Sequence, residues 1–186
     1  MGRHVHFKTI LLVLAFAAGT FMGPKFAGAD TAAEIDRDVK SALAKLYAES
    51  VSARAMGEKA IGILVFPGII KGGFIVGGQY GEGALLKGGA TSGYYENIQV
   101  SYGMQVGIQK HGYALFFMTE SAMSWLDRSD GWEVGVGPSI VIVDVGAATS
   151  QTTTTLQSDV YAFFFDQKGL MGGLGFQGTK ISKIYK

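Results

Sequence analysis

Residues 62–83 read GILVFPGIIKGGFIVGGQYGEG, and this stretch decides the class of fold. An apolar run meets a break at Pro67 and Gly68, then Lys71, then a strand with glycine at alternate positions. From Gly73 the odd-numbered side is Gly73, Ile75, Gly77, Gln79, Gly81 and Gly83, and the even-numbered side is Phe74, Val76, Gly78 and Tyr80. Side chains alternate across a strand, so one face is bulky and the other is nearly bare backbone. Glycine weakens a strand interior, and its repeated use points to sharp curvature or to close approach by another group.

The same asymmetry recurs in three further segments. Val100, Tyr102, Met104, Val106 and Ile108 alternate with Ser101, Gly103, Gln105, Gly107 and Gln109, which predicts one strand over Val100–Gln109. Trp132, Val134 and Val136 alternate with Glu133, Gly135 and Gly137, and Leu174 and Phe176 with Gly173, Gly175 and Gln177. One reading is a small sheet or barrel that glycine allows to bend. The other is a shared glycine-lined surface on which a helix or an acyl chain lies against the backbone. Gly62–Phe66, Tyr113–Met118, Ile140–Val145 and Val160–Phe165 are apolar on both sides, as strands covered on both faces are. Turns are expected at Lys87-Gly88-Gly89, Lys110-His111-Gly112, Asp130-Gly131, Gly137-Pro138 and Gln167-Lys168-Gly169. Thr149–Thr155 is expected as an edge strand or hairpin connection.

Ahead of the strands, Asp30 to about Glu49 reads as an amphipathic helix with Ile35, Val39, Ala42, Leu43, Leu46 and Tyr47 on one stripe. Glu34, Asp36 and Asp38 favour its start. Ser52 is expected to cap a second short helix through Lys59, and Thr119 a third through Leu126. The fold class is therefore α+β: N-terminal amphipathic helices packed on a strongly coiled, glycine-rich, mostly antiparallel sheet or small barrel.

Residues 1–29 have the form of a secretory signal peptide. Arg3 and Lys8 precede an apolar run from Ile10 to Met22, and Ala27-Gly28-Ala29 is a small-x-small cleavage site. The run is shorter than the ~20 residues that span a bilayer. Cleavage after Ala29 would leave one domain, residues 30–186, in which loss of Arg3, Lys8 and Lys25 gives a net charge of about −2. That balance lacks the basic excess of a nucleic-acid binder. With no cysteine in the chain, disulfides and a lipid-modified N-terminal cysteine are both excluded.

Catalytic and cofactor motifs are missing. His111 is the one histidine after residue 29, and it is expected as a solvated turn residue that makes no zinc site. No serine stands in a G-x-S-x-G elbow. Gly173-x-Gly175-x-x-Gly178 has the letters of a dinucleotide fingerprint without the following helix and acidic residue. Asp127-x-Ser129-Asp130-Gly131 has its glycine misplaced for an EF-hand and reads as a helix end and turn. Glu82, Asp144 and Asp166 are scattered carboxylates that no spacing brings together. No cofactor, metal or enzymatic activity is expected.

Ile63-Leu64-Val65-Phe66-Pro67, then Ile70-Lys71-Gly72-Gly73-Phe74 and Gly81-x-Gly83, resemble the opening of the SYLF domain, a lipid-binding module. Asp130-Gly131-Trp132-Glu133-Val134-Gly135, Val160–Phe165, Gly169-Leu170-Met171 and Phe176-x-Gly178 continue the resemblance in order, over about Ala33–Ile184. The resemblance implies phospholipid binding, with an exported role in bacterial members. The link of eukaryotic members to actin is not carried over to an exported chain. The family engages membranes through an N-terminal amphipathic helix with nearby basic residues. The acidic first turn here departs from that pattern, since an anionic surface favours Lys and Arg beside the apolar stripe.

The expected function is a non-catalytic, periplasmic protein, not a lipoprotein, that binds phospholipid or an anionic membrane surface. Lys71, Lys87 and Lys168, in or beside glycine-rich turns, would hold head groups with the backbone of Gly72 and Gly73, and Lys180 and Lys183 would contribute from outside. Lys71 is the strongest candidate. The alternatives are a small outer-membrane β-barrel and a structural envelope protein. The exported protein is expected to begin at Asp30 by intact-mass measurement, and a mass that starts at Met1 would overturn the cleavage.

Overall fold

The computed structural model describes residues 30–73, 76–102, 107–143, 158–168 and 178–186. The expected signal peptide, the Thr149–Thr155 stretch, Asp144, Gly169–Met171 and the Leu174–Phe176 alternation lie outside these residues. Helix α1 (Ala32–Glu49) starts with a capping box: the Thr31 hydroxyl accepts from the Glu34 backbone while the Glu34 carboxylate accepts from the Thr31 N–H. Its buried stripe is Ile35, Val39, Ala42, Leu43 and Leu46, which were legible from spacing. Helix α2 (Val51–Gly57) is capped by Ser50, not Ser52. Ser50 has extended backbone and its side chain accepts from the Ala53 N–H, so α1 and α2 share one junction residue.

The eight strands are β1 (Gly62–Gly73), β2 (Val76–Lys87), β3 (Ala90–Tyr102), β4 (Gly107–Phe117), β5 (Trp132–Glu133), β6 (Ile140–Val143), β7 (Val160–Lys168) and β8 (Thr179–Ile184). They form one sheet in the order β5-β8-β3-β2-β1-β4-β7-β6, antiparallel except for the β6–β7 pair. The expected α+β architecture with a coiled sheet is what the chain adopts: the sheet is a strongly curled half-barrel. Between β4 and β5, α3 (Glu120–Met123) is capped by Thr119 and runs into a 3₁₀ turn at Ser124–Asp127.

Three local expectations change. Pro67-Gly68 does not end the first strand, because β1 runs through it as a bulge with register shifts against both neighbours. The extra residue inverts the alternation, so Leu64 and Phe66 share a face with Ile69 and Lys71. The predicted Val100–Gln109 strand is two strands: β3 ends at Tyr102, β4 begins at Gly107, and the β1–β2 hairpin lies between them. Finally, Lys110-His111-Gly112 is strand interior rather than a turn. Gly112 is there for packing, since a Cβ would stand 2.2 Å from the Phe165 ring. By contrast Gly88 and Gly89, at φ +56° and +80°, make the tight β2–β3 turn as expected.

The two faces have separate cores. Helices α1 and α2 cover the outer face over Ile63, Val65, Ala84, Leu86, Phe116 and Phe163. Thr91 and Tyr94 of β3 donate to the Asp36 carboxylate, and Lys45 pairs with Asp166 on β7, so α1 is tied down on both sides of the sheet. The inner core contains Leu64, Phe66, Ile69, Leu85, Leu115, Phe117, Trp132 and Ile181. Trp132 on β5 lies 6.0 Å, ring to ring, from Phe117 on β4, five strands away. At ~4.8 Å per strand a flat sheet would hold them about 24 Å apart, so this face is the concave one.

Glycine on the odd side of β2 makes the curl possible. A Cβ on Gly83 would stand 2.2 Å from the Val65 carbonyl oxygen and 2.8 Å from the Phe66 ring, and one on Gly81 2.7 Å from the Gly68 carbonyl. Gly83→Ala is therefore expected to destabilise by about 2 kcal/mol or more in urea unfolding. Gly78→Ala, on the open side and 3.5 Å from its nearest neighbour, should fall within about 0.5 kcal/mol of the parent.

Candidate functional site

Since the bare side of β2 faces inward, the bulky side faces out. Near the N-terminal ends of β2 and β4 none of the described helices covers it. Cross-strand register places Ile98, Tyr80 and Ile70 side by side on β3, β2 and β1, with Val100 and Ile108 in the next row. Ile108 is 77 % exposed, and Ile70 and Val100 each 58 %. Gly78 and Gly72 are register partners between Val100 and Ile108, so that row has a bare backbone centre. Lysines bound the first row: Lys180 stands opposite Ile98, and Lys110 opposite Ile70. Both lysines are exposed. Five strands carry this row, so its ends are roughly 19 Å apart.

The opposite, inner face at the same end is polar. Gln79, Asn97, Gln109, His111 and Thr179 are all buried there. Gln79 donates to Asn97 at 3.0 Å, and Asn97 donates to the Tyr113 hydroxyl. Burial, with the charge of Lys71 beside it, pushes the His111 imidazole down to about 4. Its Nδ1, with Gln109 Oε1 and Thr179 Oγ1, has no hydrogen-bond partner among the described residues. The expected solvated turn histidine is thus a buried strand histidine, packed 5.9 Å from the Phe164 ring.

A third feature is a cleft of about 410 Å³ between α1 and the β1 bulge, lined by Lys45, Lys110, Asp30, Asp38, Glu82 and Asp166. Glu82 and Asp166 therefore come together after all, but each is engaged by a lysine, Glu82 by Lys186 and Asp166 by Lys45. That disposition builds ion pairs rather than an acid–base pair. Among the described residues no group of three or more acidic or imidazole side chains is placed to hold a metal ion.

The lysines and glycines expected to form one lipid site are dispersed. Lys71 is in strand β1, between Gln79 and Gln109, on the inner polar face. Gly72 lies in the outer row, and Gly73 closes β1. Lys87 sits at the far end of the sheet in the β2–β3 turn, and Lys183 faces Tyr95 beside the 3₁₀ turn. Lys168 pairs in backbone register with Lys110, and its side chain lies outside the described residues. Of these candidates with described side chains, Lys180 and Gly72 fall on the exposed patch. Ile70, Tyr80, Ile98, Val100, Ile108 and Lys110 were not singled out as a site. The bulky-side alternation carried their signal, but register was needed to unite them.

Residues 98–185 match the Ysc84 family model, described as Las17-binding protein actin regulator. This is the SYLF family that the motifs resemble, a family of lipid-binding or actin-regulating proteins not known as enzymes. No curated protein matches the chain.

His111 makes stability pH-dependent in a defined direction. Its folded-state value is depressed, so it contributes most above the unfolded value of 6.5, and that contribution is lost as pH falls towards about 4. Urea unfolding of the parent should lose about 3 kcal/mol more between pH 6.5 and 4 than unfolding of His111→Gln. Parallel pH profiles for the two proteins would refute the assignment.

Proposed function

We propose that this chain is an exported, non-catalytic protein that docks peripherally on an anionic phospholipid surface through the outer patch of Ile70, Tyr80, Ile98, Val100 and Ile108. The observation that carries this reading is the exposed apolar row with a lysine at each end. Contiguous exposed apolar surface marks an interaction site. Each flanking lysine adds about 1 kcal/mol near an anionic membrane, too little alone, so insertion of the branched side chains supplies the rest. The family match supports a lipid partner, and the leader-like residues 1–29 support export to the periplasm.

Lys71 takes no direct part in this reading, since it faces the inner polar cluster. Helix α1 takes none either: its apolar stripe is spent on the sheet, and its first turn is acidic. A membrane-embedded barrel is disfavoured, because α1 and α2 cover part of the outer face that lipid would have to reach.

Co-sedimentation with phosphatidylglycerol-containing vesicles tests the surface. Ile70→Ser with Ile108→Ser should weaken binding at least tenfold, and Lys110→Glu with Lys180→Glu by a similar factor that vanishes on zwitterionic vesicles. Lys71→Glu should bind like the parent if it folds. Undiminished binding by the first two pairs would refute the proposed surface.

A further inference from the structure

Glu82 is a carboxylate in an unusual position. Its side chain is 5 % exposed on the outer face of β2, directly opposite Glu96 of β3, and like charges opposed across strands repel. Lys186 Nζ donates to Glu82 Oε2 at 2.8 Å, and the Tyr80 hydroxyl donates to Oε1 at 2.7 Å. The third donor is the backbone nitrogen of Asp30, 3.1 Å from the same Oε2. Lys186 also donates to the Asp30 carbonyl oxygen at 2.8 Å, so the Asp30 peptide is held from both sides. Three carboxylates, those of Asp30, Glu82 and Glu96, all act on Tyr80; Lys186 is the lysine paired with Glu82, while Lys45 in the same cleft is paired with Asp166 and Lys110 also lines it.

We propose that Glu82 is the receptor for a new N-terminus: peptide-bond hydrolysis after Ala29 turns the Asp30 nitrogen into an α-ammonium that pairs with the buried Glu82 carboxylate and completes the fold. The proposal rests on the reading of residues 1–29 as a cleaved leader. Water adds across the Ala29–Asp30 bond, the carboxylate leaves with Ala29, and the released amine is protonated at neutral pH. An amide N–H gives Glu82 one neutral donor, whereas an ammonium at the same place gives a charge-assisted one and offsets the local negative excess. The positive end of α1 opposes a cation there, but the Glu34 carboxylate already occupies that end through the capping box. Processing would thus be read out as stability, because the precursor carries the same contacts without the charge.

The test compares chains spanning Asp30–Lys186, which contain every described residue, with a free and with an acetylated α-amine. Acetylation keeps an N–H donor at the precursor's position and removes the charge. The free-amine chain should melt about 5 °C higher, and the gap should close to within about 1 °C when both carry Glu82→Gln. Equal melting of the two parent chains, or a gap that survives Glu82→Gln, would overturn the proposal. Should Glu82→Gln not fold, amine acylation decides: the folded parent should react at least tenfold more slowly than in urea, and equal rates would overturn the pairing. Intact mass of the exported protein tests the leader separately. A start other than Asp30 would remove the processing event, while the recombinant comparison would still stand on its own.

Discussion

Everything in this fold depends on how closely β1 and β2 approach on the concave side. The Val65 carbonyl and the Phe66 ring occupy the space that a side chain at Gly83 would need, and Ile69 occupies the space at Gly81. With those positions bare, the hairpin bends hard enough for Trp132 to reach Phe117 across five strands. Once closed, the concave face fills with aromatic and branched side chains at one end and polar ones at the other. The convex face then has more apolar surface than two short helices can cover. Its uncovered remainder is the candidate site, so curvature and exposed surface have one cause.

The α+β class was legible because helix spacing ends near Ala60 and alternation takes over, with no overlap between the two signals. Helix α1 was legible almost to the residue, since its apolar stripe and its early acidic residues agree, although the Thr31 cap emerged only from the structure. The site was not. Alternation along one strand says that two faces differ, but not which one is inside, and the Pro67-Gly68 bulge reverses the answer within β1 itself. Lys71 looked like a turn lysine because Gly72 and Gly73 follow it. Those glycines belong to a paired strand whose lysine points to His111 and the glutamines. Lys110-His111-Gly112 misled for the same reason: glycine beside charge is a turn signal locally, whereas here the Phe165 ring demanded it.

Charge is distributed with a similar division of labour. Acidic groups at Asp36, Glu82 and Asp166 are used up in holding α1, Lys186 and Lys45 to the sheet. Lys110 and Lys180 stand at the edges of apolar surface instead. A chain with little net charge therefore still places lysines beside exposed apolar side chains, and its overall balance says little about partners.

The strand order carries a consequence for how the chain reaches this state. β1, β2 and β3 are neighbours in sequence and in space, so they can form an early three-stranded meander. β4 must then travel past β2 to pair with β1, and β8 must come from the far end of the sequence to pair with β3. Pairings between distant segments are slow, because loop closure precedes any gain from contact. Until they form, both edges of the meander are open, and residues 62–66 offer one of them a run of unbroken apolar strand. Pairing within the meander therefore costs less loop-closure entropy than docking β4 and β8, and a meander lacking them would have both edges open to self-association.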